Sequence, residues 1–187
     1  IDHSISFDSP LLNISSNFHI LELFHGPTLA FKDFGARFMA RAMEKAVTNY
    51  NKELNILVAT SGDTGSAVAN GFYNVEGINV IILYPSNKVS KIQEKQLTTL
   101  GGNIFALEVE GSFDECQSLV KQAFLNDELN KKMNLSSANS INIARLIPQT
   151  FYYFNAYSKL KYKNNVIFSV PSGNFGNVTA GLLSKKM

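Results

Sequence analysis

Four short apolar runs constrain this chain more than any other feature: Leu54–Ala59, residues 78–83, Ile104–Val109 and residues 166–170. Each has the length of a strand, and each is apolar at nearly every position rather than at every second one. That pattern belongs to strands covered on both faces, as in a parallel sheet packed between helices. Helix-length segments separate the first three. Residues 66–73 read as one helix. Ser90-Lys91-Ile92-Gln93 and Ser112-Phe113-Asp114-Glu115 have capping-box spacing and open two more, the first ended by Gly101-Gly102. The inner face of the helix after Ser112 reads as Phe113, Cys116, Leu119, Val120, Ala123 and Phe124. Right-handed crossovers then bring the carboxyl ends of the strands to one edge, where open α/β sheets bind ligands.

The flanking segments are less regular. Phe18, Ile20, Glu22 and Phe24 alternate as the end of a strand that Gly26-Pro27 breaks. A helix follows from near Asp33, with Phe34, Phe38, Arg41, Met43 and Ala46 as its stripe. Residues 133–137 hold a short strand, and residues 148–160 a helix with Pro148 at its start and Phe151, Phe154, Ala156 and Tyr157 facing inward. Residues 178–183 open a last helix. A chain of 187 residues with 45% hydrophobic and 17% charged residues can bury a core. A net charge of +2 without a basic run gives no argument for nucleic acid, and no apolar run approaches the ~20 residues of a membrane span. The single cysteine, Cys116, lies on an inner helix face and fits a reducing compartment, so the cytoplasm is the expected location. A start at Ile1 rather than Met, and an end within a helical pattern, lead us to expect a piece of a longer protein.

The chemistry gathers where strands hand over to helices. Lys32 stands at a helix start between Phe31 and Phe34. Poor solvation there lowers an amine's pKa and frees it as a nucleophile or base, unless the lysine merely snorkels past two core rings. Two turns share a Ser-Gly-Asx pattern, Ser61-Gly62-Asp63-Thr64-Gly65 and Ser172-Gly173-Asn174-Phe175-Gly176. Glycines let backbone N–H groups converge on an anion, and the helix that follows adds its positive end. Neither turn is a G-x-x-x-x-G-K-[ST] or G-x-G-x-x-G motif. Lys88, near a strand's carboxyl end, reaches the same cleft or is a surface lysine. Asn142 and Arg145 can converge on one ligand if that segment is helical, and arginine suits a phosphate. His3, His19 and His25 lack metal-ligand spacing, so no metal site is expected. His25 reads as a hydrogen-bonded loop residue, and Arg37 and Arg41 as solvated or paired.

The run from Phe24 to Gly35, Phe-His-Gly-Pro-Thr-Leu-Ala-Phe-Lys-Asp-Phe-Gly, resembles the cofactor-lysine motif of the threonine synthase family. Residues 60–66, Lys88-Val89-Ser90, Leu100-Gly101-Gly102-Asn103, Asn139-Ser140-Ile141-Asn142 and residues 172–177 resemble that family in the same order. The resemblance implies the tryptophan-synthase-like fold of pyridoxal-phosphate enzymes (fold type II), here incomplete at both ends. Residues 1–35 and 138–187 would belong to a large cofactor domain and residues 36–137 to a smaller parallel α/β subdomain. It implies a lyase of threonine biosynthesis that converts O-phospho-L-homoserine and water to L-threonine and phosphate. Lys32 would form the Schiff base with pyridoxal 5'-phosphate and shuttle protons. Gly173, Asn174, Phe175, Gly176 and Asn177 would hold the cofactor phosphate. Ser61, Gly62, Asp63 and Thr64 would meet the substrate's carboxylate, and Lys88, Asn142 and Arg145 its phosphate. Many enzymes of the fold carry Asn where Asp63 stands; a carboxylate there would repel a bound carboxylate, which leaves the loop's backbone N–H groups and hydroxyls as the binding groups. The group that faces the pyridine nitrogen would lie beyond Met187, so the piece alone is expected to be inactive. Two other readings stay open at this level: a relative acting on another phosphorylated amino acid, and a phosphate-binding α/β module without catalysis.

Overall fold

A computed structural model describes residues 3–50, 53–139, 142–171, 173 and 175–187. An antiparallel hairpin comes first, β1 (Leu11–Ser15) and β2 (Phe18–Leu21), with Leu11 opposite Leu21 and Leu12 opposite Ile20. The alternating run from Phe18 is thus the second arm of a hairpin. Its partner strand carries no strong pattern of its own. Helix α1 (Lys32–Tyr50) follows. Then come β3 (Leu54–Ala59), α2 (Asp63–Phe72), β4 (Ile78–Pro85), α3 (Lys91–Thr98), β5 (Ile104–Val109), α4 (Phe113–Leu125), α5 (Asp127–Met133) and β6 (Leu135–Ser137). The chain continues through α6 (Ile143–Leu146), a 3-10 turn (Ile147–Gln149), α7 (Thr150–Lys159) and α8 (Gly176–Lys186).

Strands β3 to β6 make one parallel sheet in the order β5-β4-β3-β6, with Ile56 paired to Val80 on one side and Ser136 on the other. Alternate residues build the two faces. Ile56, Val58, Val80 and Ile82 point to one face, where Ala36, Met39 and Ala40 of α1, Ala67, Val68 and Phe72 of α2, and Leu97 of α3 cover them. Leu57, Ala59 and Leu83 point to the other, covered by Cys116 and Val120 of α4. Strands buried on both faces explain the near-continuous apolar runs. Both capping boxes form as the spacing requires, Ser90 with Gln93 and Ser112 with Glu115. Gly101 and Gly102 take positive φ just after α3.

A smaller core joins Phe34 of α1, Tyr152 and Tyr153 of α7 and Ala180 of α8, with Leu21 and Leu23 against it. Here the sequence reading needs correction. Residues 166–170 pair with no strand among the described residues. Ile167 is 90% exposed, while Phe168 lies edge-on to Tyr153 at 5.1 Å and Val170 leans on the small core. An apolar run becomes a strand only when a neighbouring strand takes its hydrogen bonds. The buried face of α7 is Tyr152, Tyr153 and Ala156; Phe154 and Tyr157 are exposed, as is Leu119 on α4. In α1 the buried stripe is Ala36, Met39 and Ala40, continued by Met43 and Val47, while Ala46 is exposed. Arg41 pairs with Glu44 at 2.8 Å, and Arg37 donates from Nε to the Ser4 carbonyl at 2.8 Å.

Candidate active site

The connections from β3 run to β4 and β5 on one side of the sheet, and the chain returns to β6 on the other. The carboxyl ends of β3 and β6 therefore flank a switch point, where a crevice forms in open α/β sheets. A cavity of about 560 Å³ opens there. Ala59 and Thr60 at the end of β3, Ser137 of β6 and Asn139 form its floor. The loop from Ser61 to Thr64 makes one wall, and Gln117 and Lys121 of α4 stand on another. Lys32, Gln93 and Gly173 complete it.

Lys32 is the first residue of α1, and the loop before it is locked in place. Asp33, with no exposed surface, accepts from the Thr28 backbone N–H at 2.9 Å and the Thr28 hydroxyl at 2.6 Å. Burial pushes the Asp33 carboxyl up, and these bonds pull it back. The lysine side chain is 18% exposed, and Nζ lies 5.9 Å from the Phe31 ring centre. Phe34 turns the other way, into the small core. Desolvation holds the Lys32 amine below the usual lysine range; the Asp63 carboxylate, 4.0 Å away, opposes that, and Arg145 reinforces it. Arg145 comes close because α1 and α6 meet backbone to backbone. A Cβ on Gly35 would stand 2.5 Å from the Arg145 carbonyl oxygen, so only glycine permits the approach.

The loop after β3 is knit by a residue the sequence reading passed over. Thr60 Oγ1 accepts from the N–H of Gly62 at 3.1 Å and of Gly65 at 2.9 Å, and donates to the Gly62 carbonyl at 2.9 Å. Gln93 was missed as well: its amide donates to Asp63 at 2.7 Å. A capping-box residue signals only a helix start, so nothing in the sequence marks this second contact. The turn before α8 brings Gly173 to the cavity, where nothing lies within 4 Å of its missing Cβ. Asn174 lies outside the described residues, as do Ser172 and Ser140. Phe175 is 75% exposed, Gly176 opens α8, and Asn177 is buried, its side-chain oxygen accepting from Tyr152 at 2.8 Å and Tyr153 at 2.7 Å.

Of the three expected phosphate ligands, two are placed otherwise and the third is buried. Lys88 is exposed in the turn after β4 and does not line the cavity. Asn142 caps α6, its oxygen accepting from the Ala144 N–H at 3.0 Å and its amide donating to the Ser137 carbonyl at 2.9 Å, which commits both ends. Arg145 is 2% exposed behind the wall. It donates from Nη1 to the Ala138 carbonyl at 2.7 Å, its Nε has no partner, and burial lowers its pKa to about 10. His25 hydrogen-bonds Glu22 at 2.7 Å, as a loop histidine does.

An open glycine turn before a helix and a desolvated amine on one cavity are the parts a phosphate-bearing aldehyde requires, so the residues present fit pyridoxal phosphate. The sequence profile of the family described as pyridoxal-phosphate dependent enzyme matches residues 9–185. The chain belongs to that family. It is 54% identical over 189 residues to the threonine synthase of Haemophilus influenzae, spanning all of this chain and 44% of that protein. The crystal structure of threonine synthase from Escherichia coli superposes with a TM-score of 0.90 at 53% identity, over 98% of this chain and 43% of that one. A pyridoxal-phosphate-bound threonine synthase from Brucella melitensis matches with a TM-score of 0.87 at 42% identity, over 96% and 39%. The chain thus spans less than half the length of these threonine synthases. No helix among the described residues is long and apolar enough to cross a membrane.

Proposed function

We propose that the complete protein carrying this chain is a threonine synthase, a cytoplasmic lyase of threonine biosynthesis that converts O-phospho-L-homoserine and water to L-threonine and phosphate. The observation that carries this reading is the desolvated amine of Lys32 at the carboxyl ends of β3 and β6, on one cavity with both glycine turns. When bound, the cofactor supplies an electron sink for charge developing on substrate carbons. The chain's own residues supply the rest. Lys32 Nζ, whose charged form burial disfavours, takes and returns protons. Gly173, Asn174, Phe175, Gly176 and Asn177 hold the cofactor phosphate with backbone N–H groups at the start of α8. Ser61 and Thr64 take the substrate carboxylate, while Gly62, its N–H bonded to Thr60, shapes the loop and the Asp63 side chain is held aside. No carboxylate pairs with Arg145 among the described residues, so its buried charge favours an anion in the adjoining cavity, and we assign it that part in binding the substrate phosphate. The two cores support a division of the chain into residues 1–35 and 138–187 of a cofactor domain and residues 36–137 of a smaller one, since α1 passes from the small core at Phe34 to the large one at Ala36.

The test is Lys32→Ala in the complete protein. Phosphate release and threonine formation should vanish, and borohydride should no longer fix pyridoxal phosphate to the peptide that contains position 32. A variant that still fixes the cofactor at another lysine, or keeps parental turnover, overturns the reading.

A further inference from the structure

We propose that Gln93 is a positioning residue: its amide holds the Asp63 carboxylate across from the Lys32 amine as that amine's counter-ion. This rests on Lys32 being the reacting amine. Gln93 is the third residue of α3, and its side-chain oxygen faces its own helix start, accepting from the Ser90 hydroxyl at 3.0 Å and the Ser90 N–H at 3.4 Å. With the oxygen committed there, the NH2 end must point away, and it meets Asp63 Oδ1 at 2.7 Å. The other Asp63 oxygen is the one 4.0 Å from Lys32 Nζ. A glutamate would complete the capping box equally well. It would face Asp63 with a second negative charge. The helix start accepts either residue, and only the tie to Asp63 requires glutamine.

Gly62 makes room for the tie, since a Cβ there would stand 2.9 Å from the Gln93 amide nitrogen. The tie also answers the difficulty that a carboxylate poses in a loop meant for an anion. Asp63 is the first residue of α2 and its side chain is 52% exposed. Left free, it would turn to the N–H groups of its own helix start and occupy them. Held sideways, it leaves open those that Thr60 does not already take, the Gly65 N–H being bonded to Thr60 Oγ1. The other charged groups about Lys32 are Arg145 from α6, Lys121 on the α4 wall and Asp33 on its own helix, the last turned away to Thr28.

The experiment measures how fast Lys32 is acetylated by trace acetic anhydride as a function of pH, read by peptide mass spectrometry on the complete protein stripped of cofactor. Gln93→Met frees Asp63 and should lower the titration midpoint of Lys32 by ~0.5–1 unit, which is about three- to tenfold faster labelling below the midpoint. Gln93→Glu keeps the helix start and should raise the midpoint. Ser90→Ala removes the hydroxyl that orients the Gln93 amide and leaves only the Ser90 N–H at 3.4 Å, so it should shift Lys32 in the same direction as Gln93→Met and by less. In an Asp63→Asn background, Gln93→Met should add no shift. If Gln93→Met titrates like the parent, or if its shift survives Asp63→Asn, the proposal fails. Borohydride fixation of pyridoxal phosphate on Lys32 is scored separately, so a lysine that takes no cofactor sinks the functional reading without touching the titration result.

Discussion

The turns at Ser61–Gly65 and Ser172–Gly176 carry the same Ser-Gly-Asx pattern before a helix, yet they are built by different means. The first follows a true strand and is held by its own neighbour, for Thr60 binds Gly62 and Gly65 from within six residues. The second follows no strand among the described residues. Asn177, one residue into α8, is gripped by Tyr152 and Tyr153, twenty-five and twenty-four residues away. Local bonds make the first turn a property of its segment. Asn177, beside the second, keeps its place only while α7 and α8 stay packed. A mobile substrate and a resident cofactor place different demands on such turns, and the proposed division of labour follows that contrast.

The contrast can be broken most sharply at Asn177. Asn177→Ala removes the side-chain oxygen that both buried tyrosine hydroxyls share and leaves Tyr153 the backbone carbonyl of residue 177 at 3.0 Å and Tyr152 the Gln149 oxygen at 3.4 Å, which should cost about 1–3 kcal/mol of stability in urea titrations of the complete protein. It should also loosen pyridoxal phosphate in equilibrium dialysis, with substrate KM nearly unchanged for the loaded fraction. If cofactor affinity holds while KM rises, the roles of the two turns are reversed. Thr60→Val is nearly isosteric and removes the three loop bonds. We expect a loss of about 1–3 kcal/mol, a raised KM for O-phosphohomoserine and an intact cofactor affinity.

The smallest effect concerns pH. Burial sets the Lys32 amine below its unfolded value of 10.5, so between the folded pKa and 10.5 the unfolded chain binds more protons than the folded one. Stability from this group therefore rises as pH climbs through that window, and below it the folded form carries a constant penalty. Lys32→Met should remove the rise, so the parent should gain on the variant as pH approaches 10.5 in paired urea titrations. A difference that stays flat with pH would show that Lys32 is solvated in the folded protein.

Much of the sheet was legible because its signals are local. Apolar runs placed β3, β4 and β5, and capping boxes placed the starts of α3 and α4 to the residue. Lys32 was legible for the same reason, as an amine between aromatic neighbours at a helix start. The misreadings share a cause. Residues 166–170 have a strand's composition but no partner strand among the described residues, and α7 turns Tyr152 and Tyr153 inward instead of Phe154, their hydroxyls finding Asn177. Asn142 had the composition of a phosphate ligand, but its oxygen caps α6 and its NH2 group donates to the Ser137 carbonyl of β6.

By itself the sequence determined the parallel α/β class, the helix starts, and a lysine between aromatic neighbours with two glycine turns before helices, because periodicity, capping and glycine act over a few residues. Tertiary structure alone decided which groups face Lys32. The Gln93–Asp63 tie, the buried charge of Arg145 and the grip of two tyrosines on Asn177 join residues twenty-four or more positions apart, or 113 in the case of Lys32 and Arg145. Charges and hydrogen bonds act over a few ångströms of space, and only the packing of α1 on α6, α3 beside α2, and α8 on α7 brings those ångströms about.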